Sequence, residues 1–271
     1  VTINKFLFKK IFLPLLILLL IFLSPFYFFE ILYFVLASLK FEVPTIKDIY
    51  EILPLPENGK KAFVGLVFSL IYLIFIRKIN SNKLFNSGNI YYDISNIYFW
   101  IATNILGYKK ISLKFVPVAF QFKILLNDLF EDISAENHPE INKQVNISEK
   151  NLNINSDVIN FILSDTYEIK DDLIPGNISI LPTIFIDNYI NAQGQRIFNQ
   201  NFINEIKKMV DKYSQEYSKV NIFATTNTMH NKEIINYCFK NAGRIGFKEI
   251  YVFKQSNRET FEFDNQGEKA L

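Results

Sequence analysis

"KVNIFATTNTMHNKEII", residues 219–235, reads as a strand, a polar loop and the start of a helix. Val220, Ile222 and Phe223 form a short apolar run rich in β-formers, bounded by polar residues. Ile234 and Ile235, with Cys238 and Phe239 further on, recur at helical spacing. The segment between them, Ala224 to His230, is built for hydrogen bonding. Outward from this unit the same alternation repeats. "DVINFILS" (157–164) and "NISILPTIFID" (177–187) hold strands, and "FKEIYVFKQ" (247–255) holds a last one. "NFINEIKKMVDKYSQEY" (201–217) places Phe202, Ile206, Met209, Val210, Tyr213 and Tyr217 on one helical face. "NKEIINYCFKNAG" (231–243) reads as a helix ended by Gly243. Strands this apolar, alternating with helices, predict a parallel sheet covered by helices, a Rossmann-like α/β unit.

The N-terminal third has a different character. Ile11 to Phe29 is a run of nineteen residues without a charge, and apolar character resumes after Glu30 through Leu39. A helix of that length covers roughly the hydrocarbon core of a bilayer. Pro14 and Pro25 are defects that bilayer helices tolerate. The second candidate span, Ala62 to Ile76, is extended by Lys60 and Lys61 before it and by Arg77 and Lys78 after it. No small-x-small cleavage site follows the first run, which argues against a signal peptide. Glu30 reads as an interfacial residue at the end of the first apolar stretch, or else as a polar contact between copies or a pore-lining group. An even number of spans places both ends on one side, and the single cysteine fits a reducing, cytoplasmic side.

The expected fold class is therefore α/β: two N-terminal transmembrane helices followed by a Rossmann-like parallel-sheet cytoplasmic domain. The expected layout is a transmembrane hairpin over 1–83, with spans near 11–39 and 60–79, a membrane-proximal part and polar linker over 84–156, and the α/β half over 157–271. Within 84–156, "DISNIYFWIATNILG" (93–107) reads as a short helix ended by Gly107. "KISLKFVPV" (110–118) reads as a strand, "AFQFKILLNDLFEDI" (119–133) as a helix, and 134–156 as a loop.

Charge is uneven. Residues 1–83 carry ten Lys/Arg against five Asp/Glu, whereas 84–271 carry nineteen against twenty-two. A slightly acidic soluble part lacks the clustered cations that direct nucleic-acid binding needs. One cysteine, Cys238, precludes an intrachain disulfide and a Cys-based metal cluster. There is no Walker A run, no G-x-G-x-x-G and no G-x-S-x-G. The two histidines, His138 and His230, stand far apart, and His230 at a helix start reads as a surface residue with no nucleophile beside it. No cofactor, metal or catalytic step is expected.

In open α/β sheets ligands settle beyond the carboxyl ends of the strands. The polar stretches that fall there are Ser164–Tyr167, Asp187–Asn188, Thr225–Thr228, and Lys254–Ser256 with Arg258. The candidate ligand contacts are Ser164, Thr166, Thr225, Thr226, Asn227, Lys254 and Arg258, whose hydroxyls, amide and cations suit a nucleotide. The competing reading makes the Thr and Asn residues only a helix cap, through Thr228 or Asn231, and a turn.

The strand and polar loop of "VNIFATTNTMHNKEI", with "IYVFKQS" as the closing strand, resemble the SAVED and CARF group of Rossmann-like sensor domains. Two N-terminal spans joined to such a domain resemble the membrane effectors of bacterial CBASS-type antiphage systems. The resemblance implies a cyclic oligonucleotide ligand made by a partner nucleotidyltransferase or cyclase, self-association, and disruption of the inner membrane by the spans. Two other readings stay open. One is a membrane-attached glycosyltransferase using Asp165 and Asp187 toward a nucleotide-sugar. The other is a non-catalytic protein-interaction module.

Overall fold

The computed structural model describes residues 2–38, 54–189, 196–240, 246–255 and 260–271, with the backbone alone over 28–38. The chain divides into two units: Val1–Ile90 with Ser95–Lys110, and Tyr91–Ile94 with Ile111–Leu271.

In the first unit a helical run begins at Ile3–Leu7, widens to a π-helical turn at Phe8–Phe12 and continues as α1 (Leu13–Ser38). The π turn falls just before Pro14, whose ring would otherwise press on the carbonyl four residues earlier. Pro25 lies inside α1. It cannot donate to the carbonyl of Ile21, and the Ser24 hydroxyl does so instead at 2.8 Å, the kind of substitution that keeps backbone satisfied where water is absent. α2 (Glu57–Ser81) packs on α1 at Gly65. A Cβ on Gly65 would stand 2.3 Å from the Phe22 carbonyl oxygen, so only glycine permits this approach. Tyr72 adds a bond from its hydroxyl to the Pro14 carbonyl at 3.3 Å. Ile3–Tyr27 and Glu57–Ser81 are both long and apolar enough to cross a membrane. Glu30 has no described side chain, so its two readings lie outside the described residues.

The rest of this unit is α3 (Asn96–Trp100), which runs into a π-helical turn at Ile101–Ile105. Its free carbonyls are capped from α2. Arg77 donates to the carbonyls of Asn104 and Ile105, and Asn80 to that of Leu106 at 2.9 Å. Gly107 follows at φ 74°, the left-handed turn that ends such a helix. A Cβ there would meet Arg77 at 2.7 Å.

The second unit is built on a six-stranded sheet. Its strands are β3 (Asn146–Lys150), β4 (Val158–Ser164), β5 (Thr183–Asp187), β6 (Lys219–Ala224), β7 (Glu249–Phe253) and β8 (Glu268–Lys269), in the order β3-β5-β4-β6-β7-β8. The four inner strands are parallel, and β3 and β8 are antiparallel edges. The Rossmann-like core is thus as expected, but the sheet is mixed. β3 arises in the polar stretch 134–156 read as loop. With only Ile147 of its five residues partly buried, an edge strand of this kind carries no apolar period to reveal it.

α4 (Val118–Leu126), α6 (Gln200–Tyr213) and the run α7 (Thr228–Glu233) with its π-helical extension Ile234–Phe239 cover one face. Ile159, Phe161 and Leu163 of β4 point to that face, and Ile162 points to the other. The opposite face is closed by Ile169, Ile174 and Ile178, the last on the short helix α5 (Gly176–Ser179), with Phe253 stacked on Phe223 at 4.3 Å. The segment 110–118 forms only a three-residue strand, β1 (Lys110–Ser112), paired with β2 (Asp132–Ser134). Pro117 then caps α4, so the turn at 113–117 replaces the rest of the expected strand. α6 stops at Tyr213, four residues early, while Tyr217 stays buried.

Candidate functional site

The strand order determines where a crevice forms. After β4 the chain moves to β5 on one side and then crosses to β6 on the other. The loops leaving β4 and β6 therefore diverge, which is where open α/β sheets bind ligands. Here those loops are 165–168 and 225–227.

They are locked together from beneath. Thr225 accepts from the Asp165 N–H at 3.0 Å through its hydroxyl, which donates to the Tyr167 carbonyl at 2.8 Å. Thr166 donates its own hydroxyl to the Thr225 carbonyl at 2.6 Å. Asp165 anchors the second layer. Its Oδ2 accepts from the Asn227 backbone at 3.0 Å, the Asn227 amide at 3.0 Å and His230 Nδ1 at 2.7 Å, and its Oδ1 from Asn188 at 2.8 Å. His230 Nε2 accepts from the Asn199 N–H at 2.9 Å, which places the ring proton on Nδ1, facing Asp165. Four donors on one carboxylate satisfy it fully. Asp165 is thus a structural anchor rather than a free ligand for a metal or sugar.

Two sequence expectations are corrected here. His230 is not a surface residue. It is 0% exposed, with the Phe198 and Phe202 rings each centred 5.2 Å from its own. The helix cap is neither Thr228 nor Asn231 but Asn227, whose side-chain oxygen accepts from the Met229 and His230 N–H groups at 3.0 and 2.9 Å. Asn231 instead reaches Gln121 at 2.8 Å and accepts the Thr226 hydroxyl, while Thr228 accepts from the Glu136 N–H.

Above this floor opens a cleft of about 410 Å³. Thr166, Thr225, Thr226 and Asn227 line it, joined by Tyr91, Tyr167, Gln255 and three charged residues, Lys114, Glu136 and Arg196. A second cleft of about 330 Å³ adjoins it and shares Tyr91, Val118, Ala224 and Gln255. Lys254 lines this second one with Asp93, its ion-pair partner at 2.5 Å, and with Asp264, Phe253 and Phe263. Ser164 lies below both, fully buried, accepting from the Ile169 N–H at 3.1 Å. It also bonds Asp187, whose carboxyl is pushed above the usual range by burial. Arg258 and Ser256 lie outside the described residues.

Lys114, Arg196, Glu136, Tyr91 and Tyr167 were not singled out from the sequence as contacts. Only Tyr167 carried a signal, standing inside a strand-end stretch. Lys114 pairs with Glu136 at 2.8 Å and Arg196 with the same carboxylate at 3.4 Å. The Lys114 bond, then the charges of Lys114 and Arg196, hold the Glu136 carboxyl below its usual range. Burial pushes the Cys238 thiol up to about 12, so it is an inert core residue. Among the described residues no group of His, Cys, Asp and Glu is placed to hold a metal ion.

The described residues thus combine two helices long and apolar enough to cross a membrane with a Rossmann-like unit that carries a polar strand-end cleft. The family model described as the SMODS- and ubiquitin system-associated 2TM effector domain matches residues 1–268, and the chain belongs to that family. No curated protein sequence matches it at a significant level. Among solved structures it is similar to Acinetobacter baumannii Cap4, a SAVED/CARF-domain containing receptor, with the cyclic trinucleotide 2'3'3'-cAAA (12% identity, TM-score 0.43, 63% of this chain and 40% of that one). The same receptor with 3'3'3'-cAAA gives 11% identity, a TM-score of 0.44, and coverage of 64% and 41%. The chain spans about two fifths of the length of these structures.

Proposed function

We propose that this protein is an antiphage membrane effector whose α/β unit binds a cyclic oligonucleotide in the strand-end cleft, the ligand controlling self-association and, through it, disruption of a bacterial inner membrane by the paired helices. The observation that carries the reading is the cleft itself. It lies at the switch point of the sheet in a chain of a two-helix effector family, and it combines hydroxyls, aromatic rings and cations. Rings stack on bases, and cations and hydroxyls meet phosphate and ribose. The Cap4 receptors named above are likewise described with cyclic trinucleotides. A partner nucleotidyltransferase or cyclase would supply the ligand. The α/β unit would face the cytoplasm, in keeping with its single cysteine and the lysines flanking both spans. Ligand acts only if it favours one association state over another. The glycosyltransferase reading loses its first metal candidate, because Asp165 is saturated by protein donors.

The test is a thermal-shift panel on the full chain in detergent, with cyclic di- and trinucleotides, and nucleotide-sugars with Mn²⁺ in parallel. Ligand at a hundred times its dissociation constant adds about 2.7 kcal/mol, or roughly 5–10 °C for a unit of this size. Thr166→Trp, which fills the cleft and gives up one bond to the Thr225 carbonyl, should abolish the shift while lowering the unliganded melting point by no more than about 5 °C. A shift confined to nucleotide-sugar and metal, or one that survives Thr166→Trp, refutes the reading.

A further inference from the structure

The mouth of the cleft holds an ion trio assembled from distant parts of the chain. Lys114 comes from the turn after β1, Glu136 from the stretch after β2 and Arg196 from just before α6. Glu136 meets one cation on each carboxylate oxygen, Lys114 at 2.8 Å and Arg196 at 3.4 Å. It is also the least exposed of the three side chains, at 26% against 47% for Lys114 and 57% for Arg196. Its backbone N–H donates to Thr228 Oγ1 at 3.0 Å, which holds the carboxylate against the cleft wall rather than free in solvent. The trio adds nothing that the floor below needs, since Asp165 and His230 are satisfied without it. Two cations sharing one carboxylate keep a net positive charge, and the fork of Arg196 suits a phosphate at least as well as a carboxylate.

We infer that Lys114 and Arg196 form a seat for a phosphodiester anion, and that Glu136 fills this seat as an intramolecular counter-ion, so that ligand enters by exchange with the Glu136 carboxylate. The inference rests on the nucleotide reading of the cleft for the identity of its ligand. The exchange makes the site selective. An anion that cannot out-compete a tethered carboxylate is refused, because Glu136 acts against the wrong ligand as well as the cations act for the right one. Removal of Glu136 would leave two uncompensated cations, and the cleft would bind phosphate more tightly and with less discrimination.

The test is titration of the full chain in phosphatidylcholine nanodiscs with two probes, inorganic pyrophosphate and 3'3'3'-cAAA, at fixed low salt. For pyrophosphate, Glu136→Gln should tighten binding on the order of fivefold and Lys114→Ala or Arg196→Ala should weaken it on the order of fivefold, the equivalent of ~1 kcal/mol per exposed pair. Glu136→Ala, which removes the carboxylate without a new amide, should follow Glu136→Gln. An unchanged or weaker affinity in both Glu136 variants overturns the exchange, and pyrophosphate affinity indifferent to Lys114 and Arg196 overturns the seat. The probes separate this inference from the functional one. Cyclic trinucleotide binding that ignores all three residues overturns the seat while leaving the nucleotide reading standing. A pyrophosphate pattern as expected with no 3'3'3'-cAAA bound supports the seat and removes that trinucleotide as its ligand. Phosphatidylglycerol discs distinguish a lipid headgroup, which shares the phosphodiester chemistry. Loss of pyrophosphate binding there through the same three residues overturns a soluble ligand as the occupant.

Discussion

Replacing His230 by alanine tests whether the floor of the cleft is held as described. The imidazole is fully buried between two phenylalanine rings and uses both nitrogens, one on Asp165 and one on the Asn199 N–H. Truncation removes a ring from a packed site, a change that costs about 2–4 kcal/mol when the walls do not collapse. It also leaves the Asn199 N–H buried without a partner, a further ~1–2 kcal/mol. Asp165 retains three of its four donors and needs no separate contribution. The expected loss is therefore about 3–6 kcal/mol, which lowers the melting point of a unit this size by roughly 6–24 °C. Circular dichroism on the full chain in detergent reads the melt, and hydrogen exchange across Val158–Ser164 and Lys219–Ala224 reports whether the loss is local to this sheet. His230→Phe restores the volume but not the bonds, so its loss should be about half that of His230→Ala. His138→Ala, at a half-buried position, serves as the comparison. A melting point for His230→Ala within about 2 °C of that of His138→Ala would refute the account of the floor.

In the first unit, Ser24→Ala should destabilise the helix pair by ~0.5–1.5 kcal/mol in denaturant titration and become neutral when combined with Pro25→Ala, because the serine then has no orphan carbonyl to serve. Gly65→Val should separate α1 from α2 at Phe22 and cost about 1–3 kcal/mol, measured as loss of a disulfide cross-link engineered between the two helices. Glu249, on β7, is held down to about 2 by hydrogen bonds from Lys269 and then Lys219. A depressed carboxyl stabilises fully above its ordinary value of 4.5 and loses that contribution as pH falls toward about 2. Glu249→Gln should flatten the acid limb of the stability curve in that window, and an unchanged limb would show that these surface pairs contribute nothing.

The parallel core was legible because β4, β5, β6 and β7 are short apolar runs and α6 keeps a strict apolar face. The edges were not, since β3 and β8 bury little and their residues have no reason to alternate. The helix cap was misassigned by a few residues for a local reason. Asn227, Thr228 and Asn231 all have cap chemistry, and only the distant Asp165, which fixes the Asn227 backbone, decides among them. His230 was misread for the same cause: its burial depends on Phe198 and Phe202, which the local sequence does not place beside it. Of the cleft, the strand-end threonines could be picked out from position alone. Lys114 and Arg196 could not, because they stand outside helix and strand and meet only through the folded chain.

The stitched loops beneath the cleft have a consequence for its rigidity. Asp165, Thr166, Thr225 and His230 on that floor already have their partners, so little there is left to order and nothing is cheap to bend. A surface of this kind behaves as a bench rather than a hinge: what is laid on it becomes a new face of the molecule.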